Sequence, residues 1–144
     1  MRRHLSGQDK KRIVAAITKA EKETSGEIRV HLEHYCPISA YDRAVTIFNK
    51  LKMFETKDRN AVLIYVALES RKFAIIGDSG IHAVVPENYW ISVRDILGQA
   101  FASSHFALGI CCAVMEVGDK LKTFFPYNQD DVNELPNEIS YGNE

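Results

Sequence analysis

Oxygen-bearing side chains are what this chain offers to chemistry. Residues 128–134 read Asn-Gln-Asp-Asp-Val-Asn-Glu, six oxygen-carrying side chains in seven positions. Hard cations such as calcium take several carboxylate and carbonyl oxygens at once. Asp131 and Glu134 are the leading candidates there, although the stretch lacks the full pattern of an EF-hand loop. Two shorter oxygen-rich loops come earlier, one holding Asp58 and Asn60, the other Asp78 and Ser79. Clustered carboxylates repel unless a cation neutralises them. Taken alone, residues 128–134 read first as a solvated acidic tail, with a hard divalent cation as the alternative.

Other chemistries find less support. His4, His31, His34, His82 and His105 are scattered, and His31 and His34 lack helical metal-ligand spacing. Cys36 lies near His34, but no third group orients the pair as a thiolate nucleophile requires. There is no G-x-S-x-G, Walker loop, H-E-x-x-H or G-x-G-x-x-G.

Helices and strands must position the acidic loops. Ser6 with Asp9 reads as a capping box, followed by Ile13, Val14, Ile17 and Ala20 at helical spacing. Gly26 reads as a left-handed stop, so the first helix is expected over about residues 7–24. Residues 27–35 alternate as a strand with one less apolar face, carrying Arg29, His31 and Glu33. Ser39 with Asp42 opens a second helix, whose buried stripe is Ala44, Phe48 and Leu51.

AVLIYVAL, residues 61–68, reads as a central strand covered on both faces. Residues 72–76 return as its antiparallel partner after a turn at Glu69-Ser70. That hairpin places the Asp58 and Asp78 loops at one edge of the sheet. Trp90, Val93, Leu97 and Phe101 mark a third helix, and Leu108, Cys111, Met115 and Leu121 a fourth. The fourth strand is expected near Met53-Phe54 or within residues 82–85. The order is α-β-α-β-β-α-α, with helices on both faces of a small mixed sheet.

The 144 residues suffice for one domain, with 126–144 as an acidic C-terminal segment unable to hold a core of its own. The net charge of −1 conceals an asymmetry. Residues 1–29 carry eight Lys/Arg against four Asp/Glu, whereas residues 126–144 carry five acids and no base. Three cysteines, two of them adjacent, make no disulfide framework and suit a reducing compartment. The N-terminus lacks an apolar signal core. The uncharged run 97–115 contains Gln99, Ser103, Ser104 and His105, and reads as two soluble helices meeting at a turn. A soluble cytoplasmic domain without a membrane span is expected. Nucleic acid is disfavoured, because few basic residues and no aromatic platform accompany the first helix.

The blocks TSGEIRV (24–30), TKDRNAVLIYVA (56–67), RKFAIIGDSGI (71–81) and NELPNEI (133–139) resemble the TPM domain family in order and spacing. The resemblance covers about residues 5–140 and implies a three-layer α/β/α sandwich around a mixed sheet of about four strands. It also implies divalent-cation binding at loops beside the sheet, pointing to those of Asp58 and Asp78. The NELP block resembles the short soluble members and adds Asp131 or Glu134. Longer relatives often read G-Y-G-L-E where this chain has Gly77-Asp78-Ser79-Gly80-Ile81. The expected function is a stand-alone domain binding calcium or a similar cation, regulatory or structural rather than catalytic. One alternative is a metal-assisted phosphomonoesterase, for which the resemblance implies a proposed activity, with Lys57 and Arg59 holding the anion. The other is a protein-interaction module without metal.

Overall fold

A computed structural model describes residues 5–128 and 133–142. Helix α1 (Gly7–Ala20) leads to strand β1 (Glu27–Glu33), helix α2 (Ala40–Lys50) and the hairpin β2 (Ala61–Ala67) and β3 (Lys72–Gly77). A one-turn helix α3 (Ser79–His82), long helices α4 (Ile91–Ser103) and α5 (Phe106–Leu121), and a short strand β4 (Ser140–Tyr141) follow. The sheet order is β3-β2-β1-β4. β1 runs parallel to β2 and β4, while β2 and β3 are antiparallel.

Local chemistry accounts for the boundaries. Ser6 Oγ accepts from Asp9 N–H at 3.0 Å and Asp9 returns the bond to Ser6 N–H at 3.1 Å, so the expected capping box forms. Ser39 caps α2 through Asp42 N–H. Ser104 takes a left-handed φ of 61° and makes the turn between α4 and α5.

β2 is buried along its whole length because its alternate faces feed two cores. Val62, Ile64 and Val66 join Ile28, Val30 and Leu32 beneath α1, α4 and α5. Leu63 and Tyr65 pack on the other side against Ala44, Ile47 and Phe48 of α2. Helices thus cover both faces, giving the expected α/β/α sandwich. Gly118 lets α5 approach α1 closely, since a Cβ there would lie 2.8 Å from Ala20 Cβ.

Four expectations need correction. The fourth strand is neither Met53-Phe54 nor within 82–85; it is Ser140–Tyr141, from the tail. α1 stops at Ala20 rather than near Thr24, and no glycine in the described residues has a positive φ. Gly26 instead serves close packing, because a Cβ there would press within 2.7 Å of Leu121 Cδ1. Gly77-Asp78-Ser79-Gly80 is less a loop than a helix start: Asp78 caps α3. The tail inserts Leu135 and Ile139 into the two main cores. That insertion helps bury the polar face of β1, where His31 and Glu33 are 3% and 2% exposed. Among the described residues, no helix is long and apolar enough to cross a membrane.

Candidate functional site

Parallel pairing brings the starts of β1 and β2 together, and the antiparallel hairpin brings the end of β3 beside them. Asp78 N–H donates to Ala61 O at 3.0 Å, Gly80 N–H to Arg59 O at 2.9 Å, and Glu27 N–H to Asn60 O at 3.3 Å. The loops of Asp58 and Asp78 therefore meet, as the hairpin requires. The contact is tight enough that a Cβ on Gly80 would overlap the Asp58 carbonyl.

The five sequence-derived candidates fare differently within this junction. Asp78 is 6% exposed, and Arg59 grips both its oxygens, Nε to Oδ2 at 2.7 Å and Nη2 to Oδ1 at 2.9 Å. Oδ1 also accepts from Ser79 N–H at 2.7 Å. This carboxylate already has its counter-charge, and it works as a clamp between loops. Asp58 projects into solvent. Glu134 accepts from Lys57 N–H at 2.9 Å. Asn60 is 1% exposed, its Nδ2 lies 3.5 Å from Ser25 Oγ, and its Oδ1 has no hydrogen-bond partner. Asp131 lies outside the described residues. Among the described residues, no three His, Cys, Asp or Glu side chains converge to cage a metal.

Two acids that sequence reasoning passed over stand next to this junction. Glu27 is 4% exposed, and its Oε1 accepts from Glu134 N–H and, at 2.9 Å, from Leu135 N–H. Glu21, at the end of α1, accepts from Ile28 N–H at 2.8 Å, filling a position on the β1 edge that β4 does not reach. Burial, reinforced by the charge of Glu27 and opposed by the Ile28 N–H, pushes the Glu21 carboxyl up to about 8. Both face a cavity of about 180 Å³, whose wall includes Thr18, Thr24, Ser25 and Asn133. Among the described residues, Lys22 is the one basic side chain in that wall. The sequence signal was Glu27 in the alternation of β1, a pattern that ordinarily marks a wet face.

The opposite end of β1 carries a second buried polar cluster, and its charges are matched. Glu33 receives Arg43 Nε at 3.1 and 3.2 Å, a further bond from Arg43 Nη2, and Tyr65 OH at 2.5 Å. His31 Nε2 approaches it at 3.2 Å. Burial alone would raise the Glu33 carboxyl, but these donors hold it below the ordinary value. Burial lowers His31, against the pull of Glu33.

The comparisons agree with this architecture. The family model of the TPM domain matches residues 2–120, so the chain belongs to the TPM domain family. It is similar to the BA42 protein of the psychrophilic bacterium Bizionia argentinensis, at 44% identity and a TM-score of 0.91, over 99% of this chain and 98% of that one. The N-terminal domain of the cg2496 protein from Corynebacterium glutamicum shares the fold at 16% identity and a TM-score of 0.65, over 82% of this chain and 74% of that one. An N-terminal domain of a protein from P. gingivalis does so at 17% identity and a TM-score of 0.68, over 87% and 82%. No curated protein matches the chain.

Proposed function

We propose that this TPM domain binds a hard divalent cation, calcium first, in the cavity between Glu21 and Glu27, and that the cation tunes stability or partner binding rather than performing chemistry. The observation that carries the reading is a pair of buried or half-buried carboxylates facing one cavity, each accepting from backbone N–H groups. The side-chain oxygens of Ser25 and Asn133 suit a cation that accepts neutral oxygen and water alongside carboxylate. The unpartnered Asn60 Oδ1 beside Ser25 adds an acceptor with no donor to satisfy it. Two protein carboxylates with water fit calcium better than zinc, which prefers nitrogen and sulfur in a closed tetrahedron. Of the sequence-derived set, Asn60 and Glu134 neighbour the cavity, whereas Asp58 and Asp78 belong to the adjoining clamp. The free thiols of Cys36, Cys111 and Cys112 accord with a reducing, cytoplasmic setting.

Calcium titration of chelator-treated protein, followed amide by amide in two-dimensional NMR, tests the proposal. Shifts are expected first at residues 21–28, 60 and 133–135. Saturation at a hundredfold excess over the dissociation constant should add about 2.7 kcal/mol of stability. A spectrum and melting curve both unmoved by millimolar calcium would leave the interaction-module reading in its place.

A further inference from the structure

The C-terminal strand is seated in a groove that reads its side chains one by one. Ser140 and Tyr141 pair with His31 and Leu32 in parallel register, and Gly142 N–H donates to Leu32 O at 3.0 Å. Ser140 Oγ lies 2.7 Å from His31 Nδ1. Because His31 Nε2 faces the Glu33 carboxylate, the neutral ring donates there and leaves Nδ1 as an acceptor. The groove therefore asks for a hydroxyl donor at this position. Arg43 and Tyr65 fix Glu33, and so fix the tautomer that does the reading.

The next two positions are also specified. The Tyr141 ring sits 5.1 Å beneath Lys10 Nζ and walls a cavity of about 70 Å³ with Leu5, Leu32 and Leu68. Gly142 is pressed onto the polar cluster: a Cβ there would overlap Glu33 Oε1 and lie 3.0 Å from His31 Nε2. Only glycine fits without displacing a buried, charge-paired carboxylate.

The family model matches residues 2–120, whereas the likeness to the BA42 protein runs over 99% of this chain. Without the tail, the His31–Leu32 edge of β1 would present unpaired N–H and C=O groups, a template for strand addition. We propose that this edge is a peptide-recognition groove for extended segments carrying hydroxyl, aromatic and glycine in succession, and that residues 140–142 are its resident occupant in cis. The partner is a protein segment of that chemistry, which must outcompete a tether acting at an effective concentration of about 1 mM.

The test uses the full-length Gly142→Ala chain. Its tail should leave the groove, seen as loss of the native amide positions of residues 139–142 while those of β2 and α5 persist. A fluorescent peptide of residues 137–142 should then bind it by anisotropy and restore the His31 and Leu32 amide positions. Wild-type chain should bind that peptide at least about tenfold more weakly, because the tethered copy competes. A peptide with Ser140→Ala should lose about fivefold or more, the worth of one hydrogen bond of about 1 kcal/mol. If Gly142→Ala does not fold, the double variant Ser140→Ala, Tyr141→Ala vacates the same groove without new bulk. An emptied groove that ignores the peptide at about 5 mM, well above the effective concentration of the tether, overturns the proposal. So does a Ser140→Ala peptide that binds equally well, or self-association of the emptied chain in place of peptide capture.

Discussion

Replacing Glu21 by Gln isolates the electrostatic character of the cavity. In the folded chain the Glu21 carboxyl is pushed up to about 8, against 4.5 without the fold. A carboxyl raised on folding holds its proton more tightly in the native state. Its contribution to stability is therefore complete below pH 4.5 and is lost as pH rises through about 8. At pH 7, about 2.5 pH units above the unfolded value, the loss is about 3 kcal/mol at roughly 1.4 kcal/mol per unit. Glu21 is only half-buried, so solvent screening trims this to about 2 kcal/mol. Gln keeps a carbonyl oxygen for the Ile28 N–H and carries no charge. The variant should gain about 2 kcal/mol at pH 7, or about 6 °C in Tm at roughly 3 °C per kcal/mol for a chain of this length. The gain should shrink to nothing toward pH 4.5. Thermal melts of both proteins in chelator across this range give the difference directly. Parallel melting profiles at every pH, or a variant less stable at neutral pH, would refute the buried-carboxylate reasoning.

Asp78→Ala should cost about 1–2 kcal/mol, because it removes the α3 cap and the partner of Arg59, yet leave the calcium-shifted amides in place; losing the calcium response would return the site to the Asp78 loop. The His31 imidazole should titrate below 6.5 in a proton NMR titration, because burial outweighs Glu33. The folded state then binds fewer protons, so stability is lost as pH falls below 6.5. A midpoint at or above 6.5 would contradict the buried, neutral ring.

The elements that local chemistry writes were legible in the sequence. Ser6 with Asp9 and Ser39 with Asp42 announced their helices, and the apolar run 61–68 announced a strand covered twice. The meeting of the Asp58 and Asp78 loops followed from one hairpin. β4 was not legible, because two residues carry no periodicity and their register is set by His31, Leu32 and Glu33 of the adjacent strand β1, remote in sequence. The same omission disguised the polar face of β1 as a wet one. Asp78 looked available because nothing local marks Arg59 as its partner; Arg59 reaches it with a φ of 50°, a backbone state that sequence does not signal.

β1 shows why two acidic sites on one strand face differ in kind. At its end, Glu33 is surrounded by a guanidinium, a phenol and an imidazole, so its charge is answered within the fold. At its start, Glu27 is held by the backbone of residues 134 and 135, and Glu21 by the Ile28 N–H. Amide N–H groups favour the charged form of a buried carboxylate. The Glu134 carboxylate accepts from the Lys57 N–H. What the tail brings to Glu27 is a pair of N–H donors, and these fix the carboxylate toward the cavity. Glu27 and a Glu21 that holds its proton up to about pH 8 thus face one concave, oxygen-lined space. The proposed cation would meet these carboxylates without adding a donor that the backbone already provides.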